Sequence, residues 1–597
     1  MLILFNTLIS GRLTIFGAVV LAGISFWYAS FAYAETLKFR VDGSFDWDGR
    51  GEVNATLRHE GINGKFYVAD DYWNSLGFRE RDILSADVEE LSNQFDTVIY
   101  PGLVSVFGSE NKPGVDGNSK ITVLMTKMID GAGGYFREQD GFLKSLYADS
   151  NEREMVYLNA AYSYSERMRS FLAHEFQHLI TFNQKTIKHN VQEEVWLNEL
   201  RSEIAPTLVG YDGAFVYTNS NLEARTKSFM KNFSDAILNW EAEEKDYASI
   251  NLFGQYVLDH YGRSVIASMT ENNLVGIESF NAALRVFGFS EEFADVYTNW
   301  TIANLVNSCE VEPINTYCYN NPNLKYSDIH VTFSGSGVES DTVSSERSTE
   351  DWRSFWFEFE TGLKNERPAD HIFRFDFFAP QNSKFRVPYV TYGSDGLKVK
   401  ETGEIEINSG SGSFYIKNFG FDTSRIVIIP SNQAQYRGGL GRGNSTRYNF
   451  NAATITDFEL SSGSTTLPFS ILGGNEKALL PNLADGTLIR ASNDYKVYVI
   501  NGRYKRWIQS AEIFNFYGHF SFAAVSEVSP ETLDLYEDSW LVRADSDTKV
   551  YEINGDGTRH WLDMSAEEFL IRGRKWDMVR VINTSELNWY VEGPAVR

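Results

Sequence analysis

From Glu35 to about Tyr326, apolar residues recur with both helical and strand periods, which predicts one mixed unit of helices and strands. The turn-forming run Pro113-Gly114-Val115-Asp116-Gly117-Asn118 leads into a strand-like segment, Ile121 to Met128, and Met155-Val156-Tyr157-Leu158 is a second short apolar run. Met168, Leu172, Phe176 and Leu179 then stand four, four and three positions apart, on one stripe of a helix. Thr332 to Glu350 is rich in Ser, Gly and acidic residues with little to bury, and reads as a linker. Beyond it the period drops to two. Phe373, Phe375 and Phe377 alternate with Arg374 and Asp376, and Arg425-Ile426-Val427-Ile428-Ile429 ends at Pro430, a β-sandwich pattern closed by a Ser/Gly/Thr stretch near Ser461 to Thr466.

The end of the chain repeats itself. Leu488-Ile489-Arg490 aligns with Leu541-Val542-Arg543 at an offset of 53, which becomes 54 at Trp507 and Trp561 and holds to Tyr536 and Tyr590. The expected order is a signal peptide over 1–34, an α+β domain over 35–330, a linker over 331–350, an all-β sandwich over 351–470, and two small aromatic repeats over 480–536 and 537–597.

Composition narrows the setting. The 597 residues are 43% hydrophobic and 15% aromatic, as in a globular protein, and the net charge of −26 argues against a nucleic-acid partner, which needs clustered Lys and Arg. Arg12 is the only charged side chain among the first 34 residues, and Ala32-Tyr33-Ala34 precedes Glu35 as a cleavage site would, so the chain is expected to be exported, secreted or surface-associated. Leu13 to Ala34 is also long enough to act as an uncleaved anchor. Cys309 and Cys318, nine positions apart, are expected to form a disulfide in that compartment.

The chemistry sits on the helix around Met168 to Phe182. His174 and His178 fall one turn apart and roughly 135° round from the apolar stripe, so one face packs while the other chelates. His-Glu-x-x-His on a helix is a zinc signature, with two imidazoles as ligands and Glu175 as general base. A third ligand is needed, and Glu199 follows in Trp196-Leu197-Asn198-Glu199, with Glu203 one turn on to orient a histidine ligand. His189 has the wrong spacing for the longer three-histidine motif, and Glu193 and Glu194 lack a matching acid four residues on. Two neutral imidazoles and one carboxylate would leave zinc at about +1, lowering the pKa of its water toward about 7. A later helix, Asp246 to Gly262, offers Tyr247, Tyr256, His260 and Tyr261 as oxyanion donors, with Tyr247 preferred because it opens the helix. Asp116-Gly117-Asn118 raises Ca2+ as a further cofactor.

These motifs resemble the gluzincin peptidases, the clan of thermolysin, and above all its hyicolysin family, with a strong match over about 35 residues and a looser one from Phe95 to Gly262. The resemblance implies a gluzincin-like metallopeptidase domain, Zn2+, a protein or peptide substrate, Glu199 as third ligand and Glu203 as its supporting acid. Leu200 stands where the related aminopeptidases carry Gly, and their Gly-x-Met-x-Asn motif is absent, which favours an endopeptidase. The C-terminal repeats resemble those appended to bacterial surface proteins and suggest a cell-surface or cell-wall ligand. The competing reading is a catalytically inactive adhesin or wall-binding protein acting through its C-terminal domains.

Overall fold

The computed structural model describes residues 35–213, 220–325, 333–336, 343–361, 371–434 and 445–456, and 483–596 with short breaks. The expected signal peptide and the Ser461 to Thr466 stretch lie outside the described residues. No described helix is long and apolar enough to cross a membrane.

The first sheet contains β1 (Thr36–Arg40), β2 (Glu52–Glu60), β3 (Gly64–Ala69), β4 (Ile121–Thr126), β5 (Gly134–Tyr135) and β6 (Met155–Asn159). Their order is β1-β2-β3-β4-β6-β5. Strands β3, β4 and β6 run parallel. Every residue of β4 and β6 is buried, which is why both read as unbroken apolar runs instead of alternating ones. Short β5 pairs antiparallel with β6 and ends the sheet, so its outer edge is paired to no described strand.

Helices α1 (Asp70–Ser75), α2 (Phe78–Gln94) and α3 (Tyr100–Phe107) connect β3 to β4. After β6 come α4 (Arg167–Thr181), α5 (Val195–Leu208), α6 (Asn221–Phe229), α7 (Glu244–Glu271), α8 (Gly276–Val286) and α9 (Phe293–Val306). The stripe of α4, Met168, Leu172, Phe176 and Leu179, packs in one core with Trp196, Leu200 and Ile204 of α5 and with Phe253 and Val257 of α7. Burial at about 1.5–3 kcal/mol per large apolar side chain holds α4 against α5 and leaves their opposing polar faces in register.

The linker expected over 331–350 is corrected by the structure. Val343–Glu350 is a strand that pairs along Ser445–Thr456, and Phe333–Ser336 pairs with Phe357–Glu360. Val343–Glu350 forms the outer strand of a four-stranded sheet, so backbone hydrogen bonding carries it and little apolar content is required. In that sheet Phe373, Phe375 and Phe377 are fully buried, as their alternation implied. Trp352 belongs to the core of the first domain, and Tyr297 on α9 donates a hydrogen bond to its carbonyl at 2.8 Å. Cys309 and Cys318 are bonded, with Cα atoms 5.1 Å apart.

Two five-stranded sheets complete the chain. Each has three antiparallel strands flanked by one parallel strand on either side, in matching chain order. They share a core in which Ile508 and Phe514 of the first meet Val542, Leu587 and Tyr590 of the second. Arg506 of the first forms a buried ion pair with Glu586 of the second.

Candidate metal centre

Helices α4 and α5 present their polar residues to each other. His174 and His178, one turn apart, bring their Nε2 atoms to 3.1 Å. Glu199 Oε2 lies 3.3 Å from His174 Nε2 and 3.6 Å from His178 Nε2. Ligand atoms about 2.0–2.2 Å from a tetrahedral ion stand about 3.3–3.6 Å apart, so both Glu199 separations match the edges of such a site and the two imidazole nitrogens stand slightly closer. Among the described residues this is the one group of three or more His, Cys, Asp or Glu close enough to share an ion. Glu199 Oε2 is buried and accepts no hydrogen bond, an arrangement that costs stability unless a cation or donor arrives.

The charges carry the same message. Burial opposes a proton on His174, but Glu199, Glu175 and Glu203 outweigh it and push its pKa up to about 9. Burial raises Glu199 while His178 and His174 more than reverse it, holding its carboxyl far below the usual range. The proton on His174 answers the same negative charge that a divalent cation would. Glu175, between the histidines, is pushed up by burial against the pull of His174 and His178.

Each imidazole is oriented from behind. Ser202 gives its hydroxyl hydrogen to Gln177 Oε1 at 2.6 Å, so at 3.1 Å it accepts from His178 Nδ1 and leaves the Nε2 lone pair facing Glu199. Gln177 is held in turn by Thr181 at 3.0 Å. His174 Nδ1 faces Glu203 Oε1 at 3.5 Å. Glu203 is 1% exposed and accepts from Arg225 Nε and Nη2 at 2.9 and 2.8 Å, from Asn221 at 3.1 Å and from Asn251 at 3.0 Å. Burial raises the Glu203 carboxyl, but Arg225 and the other donors bring it below its ordinary value.

Tyr247 stands in the first turn of α7, its ring 4.8 Å from Trp240 and covered by the Arg225 guanidinium at 4.8 Å. Burial first, then Glu199, Glu203 and Glu175, raise its pKa well above the ordinary phenol, so it remains a proton donor. The other candidates on that helix serve elsewhere. Tyr256 donates to Thr316 O, His260 bonds Cys318 O, and Tyr261 packs on Phe289.

Gly134 of β5 lies against Glu175, where a Cβ would come 2.9 Å from its Cγ, so the free edge of the sheet passes beside the site. Asp116 accepts from the Asn118 amide at 2.8 Å and closes a turn. Ser202, Gln177, Arg225 and Asn251 were not singled out from the sequence. The i, i+3 relation of Glu199 to Ser202 was available, whereas Arg225 and Asn251 come from other helices and carry no local signal.

Comparison with known proteins agrees in class. The chain is 28% identical over 227 residues to neutral metalloprotease ShpI of Staphylococcus hyicus, a match covering 34% of this chain and 47% of that protein. The chain therefore spans about half the length of this curated relative. It is related to a metalloprotease, and the relationship supports a metalloprotease-type function with a metal cofactor. No protein-family profile matches the chain. Among the solved structures that align, two with low scores are the Yersinia pseudotuberculosis-derived mitogen at 8% identity, 20% of this chain and 87% of that one, with a TM-score of 0.14, and the Aeromonas hydrophila lysozyme inhibitor PliG at 8%, 21% and 96%, also 0.14.

Proposed function

We propose that the chain is an exported zinc endopeptidase of the gluzincin type, with His174, His178 and Glu199 as ligands. The observation that carries this reading is the convergence of three ligand atoms 3.1–3.6 Å apart, with the Glu199 oxygen buried and unsatisfied. Zinc there would supply Lewis acidity toward a peptide carbonyl and lower the pKa of a water. Glu175 takes the proton of the attacking water and returns it to the leaving amine, a role suited to a carboxyl whose pKa is raised. Tyr247 donates to the oxygen that gains charge, and Glu203 fixes the His174 ring while Arg225, Asn221 and Asn251 hold Glu203. The aromatic modules at the C-terminus are read as repeats that hold the enzyme to a cell-surface or cell-wall ligand. Metal analysis of the purified chain, with casein digestion before and after chelation, tests the assignment. One zinc per chain and digestion that stops with the chelator and returns with zinc is the expected result; digestion indifferent to chelation overturns it.

A further inference from the structure

The catalytic face of α4 extends toward the start of the helix. Arg167, Phe171, His174, Glu175 and His178 share one side by their spacing. The Arg167 guanidinium lies over the Phe171 ring at 5.1 Å, and Phe171 meets Tyr162 edge-on at 5.5 Å. The Phe171 ring also abuts Gly133, where a Cβ would stand 2.7 Å away. Gly133 beside Phe171 and Gly134 beside Glu175 mean that the edge strand and α4 run in the same sense. An extended peptide adding antiparallel to that edge therefore sends its C-terminal part toward Phe171 and Arg167.

Among the described residues, no carboxylate answers the charge of Arg167. It forms no ion pair among the described residues, and its Nε is buried without a hydrogen-bond acceptor. The carboxylates in its surroundings are committed or out of reach: Glu203 is held twice by Arg225, and Glu244 pulls on Arg167 without forming an ion pair. Burial, and then the like charge of Arg225, work against the guanidinium, so an incoming anion would relieve both. Seven residues of helix separate Arg167 from His174, about 10 Å or roughly three extended residues.

We propose that Arg167 is a specificity residue that receives a substrate carboxylate within the first three residues after the scissile bond. This rests on the peptidase reading and adds a substrate class to it: peptides acidic on the C-terminal side of the cut. The carboxylate comes either from an Asp or Glu side chain or from a free chain end.

The test uses the full chain with zinc and quenched fluorescent peptides blocked at both ends, carrying Glu or Gln at each of the three positions after the cut. A charge-assisted contact predicts at least about a tenfold higher kcat/KM for Glu at one position. In Arg167→Gln that ratio falls to about 1, and Arg167→Glu turns the preference toward Lys. With the wild type alone, the ratio should shrink as salt rises from about 0.05 M to about 0.5 M. A parallel pair ending in a free acid or an amide separates the sources, a preference confined to the free acid assigning Arg167 to the chain end. A wild type that cuts all of these peptides at equal rates leaves the peptidase reading standing and overturns this one, as does a preference that survives Arg167→Gln. A wild type that cuts none overturns both.

Discussion

Glu193 and Glu199 stand six positions apart, and both carboxylates are enclosed, with 2% and 13% of the side chain exposed. Glu193 is engaged on both oxygens. Oε1 accepts from the Glu194 and Gly276 amides at 3.0 and 2.8 Å, while Oε2 takes Arg201 at 2.9 Å and lies 3.4 Å from Lys185. Lys185 in turn donates to the carbonyls of Asn272 and Leu274, which ties the approach to α5 to the turn between α7 and α8. Glu199 offers Oε2 to two imidazoles and makes no hydrogen bond with it. A buried acid with its lone pairs filled by protein holds structure, while one left without a hydrogen bond beside two imidazole nitrogens holds a place for a cation. The same contrast separates Glu199 from the other rival, Glu194, whose Oε2 accepts from the Trp196 indole at 2.6 Å.

The contrast can be broken by substitution, and the largest effect is expected at Glu199. Glu199→Ala should remove both zinc and activity while the chain stays folded; zinc retained at full stoichiometry would return the ligand role to Glu193 or Glu194. Next comes Glu175→Gln, which keeps the metal and the fold but should lower peptide hydrolysis by about 10² to 10⁴-fold, the usual contribution of a general base. Casein digestion at the wild-type rate in that variant would place the proteolysis in another site or a contaminant.

Glu193→Gln should do the reverse of Glu199→Ala. It leaves Lys185 and Arg201 buried without their counter-ion, so denaturant unfolding should show a loss of about 3–5 kcal/mol, with zinc per folded chain unchanged. Unaltered stability would mean that the cluster is no lock. Glu203→Ala, one step removed from the metal, should reduce zinc affinity or activity by about 10 to 100-fold, measured by metal competition and by kcat/KM. An effect as large as that at Glu199 would make Glu203 a ligand instead of a support.

Local pattern reached far into this structure where the signal was periodic. The α4 stripe, the unbroken runs of β4 and β6 and the alternating phenylalanines of the four-stranded sheet each lie in the element their period implies, because helix and strand geometry project side chains at fixed intervals. Val343–Glu350 escaped because an outer strand on a half-solvated sheet needs a hydrogen-bonding neighbour more than apolar residues, and its neighbour, Ser445–Thr456, lies about a hundred residues on.

By itself the sequence determined which side chains could chelate. His174, Glu175 and His178 share a helical face because of their spacing, and the Glu199–Glu203 pair repeats that logic on a second helix. Only the tertiary structure decided how the two helices meet, and with it that Glu199 faces the imidazoles while Glu193 faces Lys185 and Arg201. It also decided that Ser202, Arg225 and Asn251 hold the orienting groups and that, among the described residues, Arg167 is left without an ion-pair partner. Spacing along one helix is set by backbone geometry, but the direction of a carboxylate across two helices is set by packing and by the desolvation cost of every charge brought into the core.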